Sequence, residues 1–150
     1  MTTPAEPDIL VDTNVLVYAY DRTERDRQRM ALAVLDRLYR AGRGAFSTQV
    51  LAEFYSVVTR KLNEPLPPTE ARAHIENYLT SWPVLPLTPL VILEALRGAT
   101  EHQLSYFDAQ LWAVARLNQL TTIVSEDFSD GSIVEGVQFL DPFTSELNLD

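Results

Sequence analysis

The patterned part of the chain begins with Asp8-Ile-Leu-Val-Asp12, a short apolar run closed by an acid, which predicts a strand buried on both faces. From Thr13 to Tyr20 the apolar character continues and predicts a turn into a short helix. Met30, Val34 and Leu38 then recur at helical spacing with Ala31 and Leu35 beside them, and Gly42 supplies a stop. Ala45-Phe46-Ser47 predicts a second strand, and Ser47 or Thr48 can cap a helix whose stripe is Leu51, Phe54, Tyr55, Val58 and Leu62. Pro65-Leu-Pro-Pro68 breaks that helix. Thr69 to Trp82 predicts the next helix, Pro83-Val-Leu-Pro86 a strand, Pro89 to Thr100 a helix, and Ser105 to Leu120 another. Thr121 to Ser125 and Val137 to Leu140 read as the last two strands.

Strands alternating with helices predict an α/β domain, with a central parallel sheet of about four to five short strands and helices on both faces. With 150 residues and no linker, repeat or low-complexity tract, residues 1–150 read as a single domain. The chain is 46% hydrophobic, which excludes a disordered chain, yet no apolar run approaches a membrane span. Met1-Thr-Thr-Pro-Ala-Glu-Pro7 lacks the basic and apolar regions of a signal peptide, so a cytoplasmic location is expected. Zero cysteines exclude disulfides, thiolate metal sites and cysteine nucleophiles.

The chemistry-bearing residues are acids. Ligand sites of open parallel sheets lie beyond the carboxyl ends of the strands. Asp12 directly follows one predicted strand, and Glu126 and Asp127 directly follow another. Asp108 shares a helix face with the apolar residues Leu111, Trp112 and Ala115, although Ser105-x-x-Asp108 also fits a helix-capping role. Glu53 lies off the apolar stripe of its helix, and periodicity alone makes it solvent-facing. Converging carboxylates repel unless a cation or protons join them, and their hard oxygens suit Mg²⁺ or Mn²⁺. Zinc is disfavoured, because His74 and His102 are the only nitrogen ligands and stand far apart in sequence. Such ions position and activate water against a phosphodiester.

The formal net charge of −9 argues against a protein that coats nucleic acid. Arg22, Arg25, Arg27, Arg29, Arg37, Arg40 and Arg43 nevertheless cluster, with Glu24, Asp26 and Asp36 among them. Arginine forks match phosphate geometry, and Arg25 and Arg29 are the candidate RNA contacts. For most of the cluster, a solvated helix face paired to its own acids is the expected role.

Four segments in order resemble the PIN-domain ribonucleases, and among them the VapC toxins of toxin–antitoxin pairs. They are Ile9-Leu-Val-Asp12-Thr-Asn-Val-Leu-Val-Tyr18, Leu51-Ala-Glu53-Phe-Tyr-Ser-Val-Val58, Ser105-Tyr-Phe-Asp108-Ala-Gln-Leu-Trp-Ala113 and Ile123-Val-Ser-Glu-Asp127-Phe128. Gly136 to Phe143 is similar to the final strand of that family. The resemblance implies a Mg²⁺- or Mn²⁺-dependent endoribonuclease with Asp12, Glu53, Asp108 and Asp127 as catalytic metal ligands. It promotes Glu53 over its periodicity, and it makes Asn14 and Ser125 supporting polar residues, with Glu126 and Asp130 as alternatives for the last carboxylate. It further implies an antitoxin partner and a homodimer, for which the apolar residues of the Leu51–Leu62 and Thr69–Trp82 helices are interface candidates.

Two other classes compete. A haloacid-dehalogenase-like phosphatase would use Asp12 as nucleophile, but Asn14 stands where a second Asp is usual, and Lys61, the one lysine, falls inside a predicted helix. The same lysine weakens a phosphorylation-receiver reading. A non-catalytic acidic protein-binding module is the remaining alternative, and it predicts no stabilisation by divalent metal.

Overall fold

The computed structural model describes residues 6–149. Met1 to Ala5, on which much of the signal-peptide reading rests, lie outside the described residues. The elements run β1 (Ile9–Val11), α1 (Thr13–Tyr18), α2 (Arg25–Ala41), β2 (Gly44–Ser47), α3 (Thr48–Arg60), α4 (Pro68–Ser81), β3 (Val84–Leu85), α5 (Pro89–Glu101), α6 (Tyr106–Leu117), β4 (Thr122–Val124), β5 (Ile133–Val134) and β6 (Val137–Leu140). They form one α/β unit around a six-stranded sheet of order β3-β2-β1-β4-β6-β5. Every pairing is parallel except β5 with β6. The sheet is thus one or two strands larger than the sequence predicts. The extra strand, β5, is a two-residue arm of a hairpin whose turn residues Glu135 and Gly136 have φ of 46° and 82°.

β1 is central and fully buried, as its unbroken Ile9-Leu10-Val11 run requires. From β1 the chain steps outward to β2 and β3, then returns to place β4 on the other side of β1. Strand order therefore reverses between β1 and β4, and the carboxyl ends of these two strands are where ligand sites of open parallel sheets form. Parallel crossovers are right-handed as a rule, and with this strand order that rule assigns α1–α4 to one face and α5–α6 to the other. The packing follows that division: α1 meets α2 and α3, α3 meets α4, and α5 meets α6. The α5–α6 pair is close because Gly98 faces the Trp112 ring, where a Cβ would lie 2.6 Å from the nearest ring atom.

Local signals explain most boundaries. Gly42 ends α2 with φ of 66°, in the left-handed region glycine tolerates. Ser47 caps α3 by accepting from the Val50 N–H, Thr88 caps α5 through Val91 N–H, and Ser105 caps α6 through Asp108 N–H. Two stripe residues were expected in the core and are not there: Met30 is 42% exposed and Tyr55 is 40% exposed. Ala31, Val34, Leu35 and Leu38 make the buried stripe of α2 instead, and Val50 takes the place expected of Tyr55.

Candidate metal centre

Asp12 leaves β1 and caps α1, with Oδ1 accepting from the Thr13 N–H at 2.7 Å. Val11 is in register with Val124, so the residues following the two strands come side by side. Ser125 Oγ accordingly donates to Asp12 Oδ2 at 2.7 Å. Asn14, the second residue of α1, gathers the same groups. Its Nδ2 donates to Asp12 Oδ2 at 3.2 Å, Ser125 Oγ at 2.9 Å and Asp127 Oδ2 at 3.1 Å. Its Oδ1 accepts from the Glu126 N–H at 3.3 Å. The Asp127 N–H in turn donates to Ser125 Oγ at 3.1 Å.

Glu53 enters from α3. It is exposed, as periodicity requires, yet both its oxygens are held: Thr13 Oγ1 donates to Oε2 and Gln49 Nε2 to Oε1, each at 2.8 Å. The structure therefore joins Asp12, Asp127 and Glu53 through Thr13, Asn14 and Ser125. Asp108 stands on the first turn of α6 with its N–H on the Ser105 cap, while its carboxylate makes no hydrogen bond or ion pair among the described residues.

The alternatives for the fourth acid have other duties. Glu126 is bonded by the Tyr18 hydroxyl at 3.0 Å and paired with Arg27. Arg27 also lies 5.2 Å from the Tyr18 ring centroid and 4.8 Å from that of Phe143. Asp130 accepts from the Asp141 N–H and from Ser145 Oγ, which ties the loop after β4 to the chain after β6 and holds its carboxyl below the ordinary range.

The electrostatics of the cluster are those of uncompensated acids. Burial raises the Asp12 carboxyl from its ordinary 3.8 to about 6. The Ser125 and Thr13 hydrogen bonds pull it down, and the charges of Asp127 and Glu53 push it up. No arginine or lysine pairs with Asp12, Glu53 or Asp127 among the described residues. An all-carboxylate donor set with no internal cation fits a hard divalent ion.

A second acidic group lies elsewhere. Glu101, His102 and Glu135 present ligand atoms within 4.8 Å of one another, the one such trio among the described residues. This trio carries its own cations: Arg97 bonds Glu94, Glu101 and Glu135, and Arg116 reaches Glu94 and Glu135. Hydrogen bonds with Arg97 and then His102, helped by the charges of Arg97 and Arg116, hold the Glu135 carboxyl down at about 2. It is an ion-pair network that fastens the β5–β6 turn to α5 and α6.

Arg29 is paired with Asp26 and Arg40 with Asp36, as expected of arginines paired to the cluster's own acids, whereas Arg43 is bidentate to Asp8 and Arg27 pairs with Glu126, both outside it. Arg22 and Arg25 are exposed and unpaired among the described residues. The sequence reading missed Thr13, Gln49 and Gln110. The available signal for Gln110 was a lone amide inside the apolar run Ala109 to Ala115.

Among known proteins, no curated sequence matches the chain. Solved structures do match in fold. A toxin–antitoxin complex from Klebsiella pneumoniae aligns with TM-score 0.66 and 18% identity, covering 89% of this chain and 97% of that one. The sarcin–ricin-loop-cleaving toxin VapC20 of Mycobacterium tuberculosis aligns with TM-score 0.62 and 23% identity, over 85% and 97%. DNA-bound VapBC from Salmonella typhimurium aligns with TM-score 0.63 and 17% identity, over 91% and 98%. The sequence profile of the PIN domain matches residues 9–129, a span that runs from β1 through the loop after β4 and contains all four candidate acids, and the chain belongs to the PIN-domain family.

Proposed function

We propose that the chain is a Mg²⁺- or Mn²⁺-dependent endoribonuclease acting as the toxin of a toxin–antitoxin pair. The observation that carries this reading is the linkage of Asp12, Glu53 and Asp127 through Thr13, Asn14 and Ser125 beyond the carboxyl ends of β1 and β4, with no cationic side chain paired to any of them. These three residues, with Asp108 from α6, would hold the metal. When bound, the ion lowers the pKa of a water and stabilises charge on the phosphodiester. Asn14 and Ser125 fix the orientation of Asp12, and Thr13 and Gln49 fix that of Glu53. Arg25 and Arg29, on the first turns of α2, supply phosphate contacts to RNA.

The partners follow from the same likeness. Toxin–antitoxin complexes are among the similar structures, so a cognate antitoxin is proposed for this chain, and the homodimer that the family resemblance implies is proposed with it. No helix of the described residues is long and apolar enough to cross a membrane, and a cytoplasmic location is proposed. The phosphatase alternative is weakened by Lys61, which is exposed at the C-terminal cap of α3, the opposite end from the Ser47 cap.

The test is cleavage of an RNA mixture with Mn²⁺ by the wild type, Asp12→Asn and Asp108→Asn. Cleavage lost in both folded variants is the expected result, and wild-type-like cleavage by both overturns the reading. Trapping of a phosphorylated Asp12 would instead revive the phosphatase.

A further inference from the structure

Glu53 is tied to α6 by a chain of side-chain amides. Gln49 Nε2 donates to Glu53 Oε1 at 2.8 Å. A carboxylate only accepts, so Gln49 must turn its NH₂ toward Glu53 and its carbonyl oxygen away. That oxygen accepts from Nε2 of Gln110. The direction of both bonds is thus set from the charged end.

Gln110 is 4% exposed, in the stretch of α6 where every residue from Ala109 to Ala115 is buried. An amide there costs free energy unless it is bonded, and an apolar side chain of equal volume would pack without that cost. Its hydrogen-bond partner is Gln49, whose other bond is to Glu53. Gln110 also lies two residues beyond Asp108 on the same helix. The relay therefore links the helix bearing one candidate ligand to the carboxylate of another, across 61 residues of sequence.

We infer that Gln110 and Gln49 are positioning residues that hold the Glu53 carboxylate in place for a divalent cation. The inference rests on the cation reading above and deepens it. Glu53 is exposed and long, so without restraint it would lose rotamer freedom on binding the ion. The relay and Thr13 order it beforehand. Each oxygen gives one lone pair to a donor and keeps another for the cation.

The test follows the Mn²⁺ concentration at half-maximal thermal stabilisation, without RNA, for the wild type, Gln49→Met, Gln110→Met and the double variant. Each single variant is expected to raise that midpoint about tenfold, and the double variant no further, because both residues serve one path. In a Glu53→Gln background, Gln110→Met should leave the midpoint unchanged. Gln49 is only half-buried, so its variant keeps the test open if Gln110→Met does not fold. A wild type that Mn²⁺ does not stabilise overturns both the cation reading and the relay. A stabilised wild type with unchanged midpoints in Gln49→Met and Gln110→Met overturns the relay alone, even if the metal-free variants melt lower.

Discussion

Ser125 Oγ donates to Asp12 Oδ2 at 2.7 Å, across the boundary where the strand order reverses. This bond opposes the burial that raises Asp12 to about 6. Burial is the larger effect, and the Ser125 bond favours the ionised form against it.

A pH dependence follows with a definite sign. Between its ordinary 3.8 and about 6, Asp12 binds a proton more readily in the folded protein than in the unfolded chain. Its contribution to stability is therefore present at low pH and is lost as pH rises through about 6. A divalent cation needs the ionised form, so Mn²⁺ binding should weaken about tenfold per pH unit below that point. Ser125→Ala removes a bond that lowers the pKa, so the break in a plot of Mn²⁺ affinity against pH should move upward. A downward move would contradict the assigned role of Ser125.

Gly98 gives a stability prediction. A Cβ at this position would sit 2.6 Å from the Trp112 ring, which is fully buried and whose Nε1 donates to the Val134 carbonyl at 3.1 Å. Gly98→Ala must move the ring or separate α5 from α6, at a cost of about 1–3 kcal/mol. Urea unfolding measures it, and an unchanged midpoint would show that the pair yields more easily than its packing indicates.

The arginines of the Arg22–Arg43 stretch should divide by partner. Arg27 holds Glu126 and lies against Tyr18 and Phe143, so Arg27→Ala should lower the melting temperature by roughly what 1 kcal/mol represents. Arg25 is exposed and unpaired, and Arg29 is paired only on the surface. Arg25→Ala and Arg29→Ala should leave melting unchanged, weaken RNA binding and each reduce the salt slope by about one. Filter binding across a salt series reads this, and unaltered slopes would remove both residues from the RNA surface.

Much of this was legible in the sequence because the signals were local. Gly42, Ser47 and Ser105 mark their helix ends by their own backbone and side-chain chemistry, and Ile9-Leu-Val11 marks a central strand by its unbroken apolar character. Asp12 and Asp127 were readable as strand-end acids. Glu53 was not, because its helix face is exposed and its recruitment depends on Thr13 and Gln49. β5 was missed because two residues carry no periodicity, and Glu135 occupies a left-handed position more often held by Asn, Asp or Gly. Met30 was misplaced because helical spacing also fits a stripe one position further on, centred on Ala31, Val34, Leu35 and Leu38.

The claim on which the account depends is that a divalent ion binds at Asp12, Glu53 and Asp127 and not at the Glu101–His102–Glu135 trio. Electron paramagnetic resonance of free Mn²⁺, titrated with folded Asp12→Asn and Glu135→Gln proteins, separates the two sites directly. The account predicts that Asp12→Asn leaves the free-ion signal unquenched while Glu135→Gln quenches it as the wild type does. Quenching retained by Asp12→Asn and lost in Glu135→Gln would contradict it.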